Sequence, residues 1–231
     1  MLLNELLNLV KNFFRAHSIL VLGDSHAAIF EKSVWQFILK KYQIHVAWVG
    51  GATVSGLENP NSKTQAIATF SEKVRETQPD IILLQLGEVD TGFVIWFRAE
   101  KYRCSVEDMA SQAIERYEKL ITDLSQHARV IVVSAPLPTI KDNQDWGEIA
   151  NLRSEISASQ YERTELTLAF NKTINQFCIN CDVEYINLDR DSLGENGIVS
   201  EDLMNRNAED HHYDDKKYIA LLSRDLLKIL G

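Results

Sequence analysis

The stretch Ile19-Leu20-Val21-Leu22-Gly23-Asp24-Ser25-His26 decides how the rest of this chain is interpreted. Its four consecutive apolar residues are typical of a strand that is buried on both faces, as strands of parallel sheets are. The chain then breaks at Gly-Asp-Ser-His and continues from Ala27 with helical spacing. A hydroxyl at the carboxyl end of such a strand, just before a helix, lies where open α/β sheets place their chemistry. The alternative is that Asp24 and Ser25 only cap the helix.

Strands and helices alternate along the remainder of the chain. Four further short apolar runs predict strands, and helical periodicity fills the segments between them. The predicted strands are Ser18–Gly23, Ile44–Val49, Ile81–Leu86, Arg129–Ser134 and Val183–Asn187, and the main predicted helices are Ala27–Lys41, Lys63–Thr77, Val106–His127, Tyr161–Cys178 and Asp214–Leu230. This alternation predicts an α/β fold: a three-layer α/β/α sandwich around a parallel, roughly five-stranded sheet.

Composition limits the domain organisation and the partners. With 231 residues and no break in composition, residues 1–231 are predicted to form one domain. The net charge of −9 and the lack of Lys/Arg clusters argue against a nucleic-acid partner. No stretch reaches the roughly 18 to 20 apolar residues that a membrane span needs. The oligomeric state stays open.

The cysteines and the first segment bear on the cellular compartment. Cys104, Cys178 and Cys181 are an odd number, and with no signal peptide they predict reduced thiols and a cytoplasmic location. The CxxC spacing of the last two lacks the second pair that a zinc site needs. Residues of about 1–16 have no basic n-region or cleavage site. They predict an amphipathic helix packed on the domain, with one apolar face made of Leu2, Leu6, Leu9 and Phe13.

Polar segments follow the ends of the predicted strands. Gly23–His26 follows the first strand, the glycine-bearing turn Gly50–Gly56 follows the second, and Gly87–Asp90 follows the third. Glu209–His212 comes after the fifth strand and precedes the last helix. We expect these segments to converge, because the carboxyl ends of parallel strands share one edge of the sheet. They contain candidates for a nucleophilic serine, a histidine base, an acid that orients it and oxyanion donors.

In this order and context, the four segments resemble the sequence blocks of the SGNH hydrolases, the superfamily that includes the GDSL esterases and lipases. Gly23-Asp24-Ser25 is similar to the first block, with His26 where GDSL enzymes usually have Leu. Ala52–Gly56 is similar to the second block, Gly87–Asp90 to the Gly-x-Asn-Asp block, and Glu209–His212 to the Asp-x-x-His block. The resemblance extends from Ile19 nearly to the C-terminus. It implies a flavodoxin-like sheet and esterase or acyl-transfer activity without a metal or other cofactor.

The resemblance also implies roles for individual residues. Ser25 would attack an ester carbonyl, and His212 would take its proton and later give it to the leaving alcohol. Asp210 or Glu209 would hold the imidazole in the correct tautomer. The backbone N–H groups of Ser25 and Gly56 would hold the oxyanion.

Two choices within the last block remain open. His212 fits the family better than His211, because Tyr218 then falls where the final helix often has an aromatic residue. Asp210 is preferred to Glu209 for its shorter side chain, although the family's spacing points to Glu209. Asp24 and Asp90 are expected to bond the backbone of the nucleophile loop. The residues predicted to support the site are Asp24, His26, Glu88, Asp90 and His211.

Val89 is the main departure from the family pattern. It stands in place of the Asn whose side-chain amide donates to the oxyanion, and loss of one such donor costs on the order of 10² to 10³ in turnover. Glu88 cannot replace the amide while it is ionised, because a carboxylate accepts hydrogen bonds and does not donate them.

The expected substrate is an O-acyl, most simply O-acetyl, ester of a carbohydrate or another small molecule. The segment Leu137–Gln160, which carries Trp146 and Arg153, is longer than a plain connection. Together with Trp96 and Phe97 it could form an aromatic wall for a sugar or acyl group, or it could pack only on itself.

Two other functions compete with this interpretation. Val89 favours a non-catalytic relative that keeps the fold to bind a ligand. Asp24-Ser25-His26 matches the Asp-x-His motif of metal-dependent phosphoesterases, with Asp90, His211 and His212 as further candidate ligands. The chain lacks the Gly-Asn-His-Glu stretch of those enzymes.

Overall fold

A computed structural model describes residues 17–59, 62–142, 156–207 and 209–231, which include a five-stranded sheet. Its strands are β1 (His17–Gly23), β2 (Tyr42–Trp48), β3 (Ile81–Gln85), β4 (Arg129–Val133) and β5 (Glu184–Ile186). They pair in parallel in the order β2-β1-β3-β4-β5. This is the flavodoxin-like strand order. The predicted parallel α/β sheet is therefore confirmed.

Helices connect the strands. The α-helices of the described residues are α1 (Val34–Ile38), α2 (Ala66–Thr77), α3 (Ile95–Tyr102), α4 (Val106–Ser125), α5 (Gln160–Asn180), α6 (Asp189–Ser192) and α7 (Asp215–Leu230). Short 3₁₀ helices span Ser25–Glu31, Val54–Gly56 and Glu201–Leu203, and a π-helix spans Asp90–Val94. Within the described part of the chain, no helix has the length and apolar character needed to cross a membrane.

Alternate residues of β1 face two separate cores, which gives the fold its three layers. Leu20 and Leu22 pack with residues of α2, α4 and α5, whereas Ile19 and Val21 pack with the segment after β1 and with α7. All four are at most 2% exposed. A strand covered on both faces can be apolar throughout, which explains the uninterrupted apolar run from Ile19 to Leu22.

The prediction of one long helix over Ala27–Lys41 is wrong. The chain forms the 3₁₀ helix Ser25–Glu31, becomes extended at Lys32 (φ −62°, ψ 131°) and only then forms α1. Trp35 accounts for the break, because its ring is buried and stacks on Phe30 with centroids 4.7 Å apart. Its indole N–H donates to the Ile29 carbonyl at 3.0 Å.

The aromatic stretch Phe93–Tyr102, which shows no clear period, is helical. A π-helix over Asp90–Val94 precedes α3. The extra residue of a π-turn shifts the apolar positions, so a single period of 3.6 does not run through the stretch. Residues 1–16 and 143–155, which include the predicted N-terminal helix, Trp146 and Arg153, lie outside the described residues.

Candidate active site

Ser25 begins a 3₁₀ helix directly after β1. A side chain at Gly23 would not fit, because its Cβ would lie 2.5 Å from the Gln85 carbonyl oxygen of β3. The Asp24 N–H donates to that same oxygen at 3.3 Å, and the Asp24 carboxylate accepts the His26 N–H at 2.9 Å. The turn is thereby fixed against β3, with Ser25 at the carboxyl edge of the sheet.

Ser25, His212 and Asp210 form a continuous chain of hydrogen bonds. The Ser25 Oγ lies 3.0 Å from Nε2 of His212, and Nδ1 of His212 lies 2.7 Å from Oδ1 of Asp210. Asp210 is itself held, because Oδ1 also accepts the His212 N–H and Oδ2 accepts the Asn205 amide, both at 3.0 Å. Such an arrangement can move the Ser25 proton to Nε2 while the carboxylate fixes the ring tautomer.

The surroundings of His212 and Asp210 keep these two residues in the protonation states that base catalysis needs. Burial lowers the pKa of His212 and the neighbouring His26 lowers it further, while Asp210 and Glu88 act in the opposite sense. Burial alone would raise the pKa of Asp210, but hydrogen bonds from the His212 backbone and ring hold it below its usual value. Near neutral pH the imidazole is therefore neutral and the carboxylate ionised.

Glu209 and His211 lie beside this chain of hydrogen bonds. Glu209 is exposed, and its backbone N–H donates to Oδ1 of Asn207 at 3.2 Å. The His211 ring packs on His212 with centroids 4.2 Å apart, and its carbonyl accepts a hydrogen bond from the Thr139 hydroxyl. The structure therefore brings Asp210 and His212 to Ser25, as preferred from sequence.

Asp24 and His26 form a second, buried pair next to His212. Nδ1 of His26 lies 3.1 Å from Oδ1 of Asp24, and the two residues are only 4% and 0% exposed. The other carboxylate oxygen of Asp24 is buried without a hydrogen-bond partner in the described structure. The His26 ring meets the His212 ring edge-on, with centroids 4.8 Å apart.

The prediction that Asp90 bonds the nucleophile loop is wrong. Asp90 bonds the loop after β2. Its Oδ2 accepts the Val54 N–H at 2.7 Å, and its Oδ1 accepts the Ser55 N–H at 3.0 Å and the Ser55 hydroxyl at 2.6 Å. Arg98 and Arg116 donate to the Ser55 carbonyl from the other side, at 3.1 and 2.9 Å. Both oxygens of Asp90 are engaged with this loop, so its role is to position the second block. The sequence motifs do not indicate that Arg98 and Arg116 contact Ser55 or that Asn205 contacts Asp210.

The predicted oxyanion donors differ in their surroundings. Ser25 is the first residue of its helix, where N–H groups lack intrahelical acceptors. The Gly56 N–H, in contrast, donates to the Thr53 carbonyl at 3.1 Å. Its oxyanion role stays a prediction, and would require this bond to be shared or broken. Val89 is half-buried at the start of the helix that leads into α3, and Glu88 beside it is buried.

A small cavity of about 170 Å³ adjoins the candidate site. Its lining includes Ser25, His26, Ile29, His212, Tyr213 and Tyr218. Pockets for drug-sized ligands typically have about 300 to 1,000 Å³, so this one favours a small group. A larger cavity of about 760 Å³ lies between α2 and α4, and none of the candidate site residues lines it.

The aromatic residues Trp96 and Phe97 lie apart from this cavity. Trp96 donates its indole N–H to the Thr91 carbonyl at 2.8 Å, and Phe97 stacks on Phe93 with centroids 5.6 Å apart. Neither Trp96 nor Phe97 lines the cavity beside Ser25.

The three cysteines are free, and burial together with nearby Cys181 raises the pKa of Cys178 to about 12, which makes it a poor nucleophile.

Comparison with solved structures relates this fold to known esterases. The chain superposes on a carbohydrate acetylesterase family member from Sinorhizobium meliloti with a TM-score of 0.62 and 15% identity, over 93% of this chain and 97% of that one. A GDSL-like lipase from Bacteroides thetaiotaomicron gives 0.61 and 13%, over 93% and 87%. A catalytic mutant of an acetylxylan esterase from Geobacillus stearothermophilus gives 0.59 and 11%, over 93% and 94%.

Comparison of the sequence alone gives no match of this kind. No protein-family model matches it, and no curated protein matches it. The structural likeness shows that the chain has the fold of the SGNH hydrolases, so the resemblance inferred from the motifs is confirmed for the fold.

Proposed function

We propose that this protein is a serine esterase in which Ser25 is the nucleophile, His212 the general base and Asp210 the orienting acid. One observation carries the proposal: Ser25 Oγ, His212 Nε2, His212 Nδ1 and Asp210 Oδ1 are linked at 3.0 and 2.7 Å. A serine hydroxyl is a weak nucleophile, and a base at this distance that is oriented by a carboxylate is what activates it.

In the proposed reaction, the Ser25 Oγ attacks the ester carbonyl carbon while its proton moves to Nε2 of His212. The tetrahedral oxyanion collapses, the C–O bond to the alcohol breaks, and the alcohol leaves with the proton from His212. Water then attacks the acyl-serine while His212 takes one of its protons. The bond between the acyl carbon and Oγ breaks, His212 gives the proton to Oγ, and the acid and free Ser25 are released. An alcohol in place of water would make the same chemistry an acyl transfer.

The proposed substrate is a small O-acyl ester, with an O-acetyl carbohydrate first among the candidates. The small volume beside Ser25, about 170 Å³, supports a short acyl group. Two of the structural neighbours are described as a carbohydrate acetylesterase family member and an acetylxylan esterase, and we extend that substrate class to this chain as part of the proposal.

A fluorophosphonate probe tests the proposed nucleophile directly. Folded wild-type protein is treated with the probe, and its intact mass is measured beside Ser25→Ala and His212→Ala. We expect one adduct on the wild type and none on either variant, because labelling needs both the hydroxyl and its base. Ser33→Ala is the matched control, since this exposed serine lies in the same segment and its loss should leave the adduct in place.

Absence of an adduct on folded wild-type protein would count against the esterase. So would an adduct that survives in Ser25→Ala. A labelled wild type would then be assayed with 4-nitrophenyl acetate, butyrate and decanoate, and with acetylated xylo-oligosaccharides. We expect the rate to fall as the acyl chain lengthens.

A second candidate is a ligand-binding protein that keeps the fold without catalysis. Val89 favours it, because no side-chain amide stands at the family's oxyanion position. The bond from the Gly56 N–H to Thr53 favours it as well, since that donor is engaged within its own loop. Saccharide binding by a wild type that the fluorophosphonate does not label would support this candidate.

A further inference from the structure

Three imidazole rings gather around the proposed nucleophile. The ring centroids of His211 and His212 are 4.2 Å apart, those of His26 and His212 are 4.8 Å apart, and those of His26 and His211 are 5.9 Å apart. A serine–histidine–acid mechanism uses one imidazole as its base, so the other two rings of this cluster carry no proton in the proposed reaction.

Asp210, His211 and His212 also have the spacing of metal ligands. One ligand atom from each residue lies within 4.8 Å of the other two, and no other such group of three occurs among the described residues. Atoms that bind a tetrahedral zinc ion at about 2.0 to 2.2 Å lie about 3.3 to 3.6 Å from one another. Binding of zinc here would therefore require these side chains to rotate until the ligand atoms reach those separations.

The chemistry of the set favours zinc over harder cations. Two imidazoles and one carboxylate leave a fourth position for water, which is the pattern of open zinc sites. Mg²⁺ and Ca²⁺ prefer oxygen ligands and gain little from two imidazoles. The side chains of His212 and Asp210 are 32% and 39% exposed, so an ion from solution can reach them.

The surroundings of these residues already hold the set in place. The amide of Asn205 donates to Asp210 at 3.0 Å, and the Thr139 hydroxyl donates to the His211 carbonyl. The Thr139 bond fixes the backbone of His211, whereas the Asn205 bond acts on a ligand group itself, and such bonds orient metal ligands and strengthen binding.

We propose that Asp210, His211 and His212 form a binding site for Zn²⁺, and that an ion bound there reversibly inhibits the protein. The ion would engage the carboxylate and an imidazole that otherwise serve Ser25. The serine then keeps its hydroxyl proton, because His212 can no longer accept it in the oriented form. Only the inhibition rests on the proposed esterase function; the metal site stands on the ligand set alone.

Calorimetric titration of the full chain with ZnCl₂ at neutral pH tests the site. We expect one ion per chain, and binding at least about tenfold weaker for His211→Asn, since even groups that only hydrogen-bond metal ligands contribute 10- to 100-fold. His127→Asn is the matched control, because this exposed histidine lies in the distant cavity between α2 and α4. MgCl₂ should give no binding.

Wild-type protein that binds no zinc would overturn the site. So would an equal loss of affinity in His211→Asn and His127→Asn.

Fluorophosphonate labelling with ZnCl₂, and again after EDTA, tests the inhibition. We expect zinc to suppress the adduct on the wild type and EDTA to restore it. Zinc that binds without slowing the labelling would overturn the inhibition. If the wild type is not labelled even in EDTA, the esterase proposal and with it the inhibition fail, while the calorimetry still decides the metal site.

Discussion

Two turns of this protein carry the same Asp-x-His sequence and the same internal hydrogen bonds, but they differ in burial. In the first, Oδ1 of Asp24 accepts the His26 N–H at 2.9 Å and lies 3.1 Å from Nδ1 of the ring. In the second, Oδ1 of Asp210 makes the equivalent contacts with His212 at 3.0 and 2.7 Å. The first pair of side chains is 0% and 2% exposed, and the second 39% and 32%.

The comparison separates what the local sequence provides from what the surroundings provide. A short aspartate folds back on the N–H two residues later in either place, because that geometry is local. The second turn directs the free ring nitrogen of His212 to Ser25, whereas the first is enclosed and packs its ring against His212. We therefore expect the half-exposed turn to control activity and the buried turn to control stability.

Asp210→Asn should have the largest effect. The amide can keep the geometry, but it stabilises the wrong tautomer of His212, and the equivalent change in a serine protease costs about 10⁴ in turnover. The rate of fluorophosphonate labelling, or of 4-nitrophenyl acetate hydrolysis, should fall by a comparable factor while the thermal midpoint changes little.

Glu209→Gln is the matched control for this prediction, since Glu209 is the competing acid from the family's spacing. Its exposed side chain predicts a rate close to that of the wild type. A large loss in Glu209→Gln with a small one in Asp210→Asn would reverse the assignment of the acid.

Much of the fold could be predicted from the sequence, because burial leaves a pattern. The apolar run of β1 and the alternation of apolar runs with helical periodicity predicted the parallel sheet. The break before Trp35 could not be predicted, because helical spacing from Ala27 onward does not reveal that this ring turns inward onto Phe30. The π-helix before α3 likewise hid the periodicity of its own segment.

Asp24→Ala should have the second largest effect, on stability. It removes the acceptor of the buried His26 N–H and ring, and the loss of a helix cap or of a buried hydrogen-bond partner costs about 1 to 3 kcal/mol. Urea denaturation should show this decrease in the free energy of unfolding. Asp210→Ala, in the half-exposed turn, is the comparison variant and should cost less. Equal losses in the two variants would remove the distinction between the turns.

The candidate site was only partly accessible from the sequence. Ser25, Asp210 and His212 could be singled out as candidates because motif order and strand ends converge on one edge of the sheet. The partners of the second block were not found, since Arg98 and Arg116 reach the Ser55 carbonyl from distant parts of the chain. Contacts of this kind depend on tertiary packing, and no short spacing encodes them.

His26→Leu should have the smallest effect, and it tests whether the buried turn influences the exposed one. After burial itself, His26 is the next largest cause of the lowered pKa of His212. Leucine keeps the site apolar but removes this repulsion, so the pKa of His212 should rise. Because only neutral His212 can accept the serine proton, the acidic limb of labelling rate against pH should move to higher pH. The profile is measured in EDTA, with His127→Leu as the distant control, and an unchanged limb in His26→Leu would show that the two turns act independently.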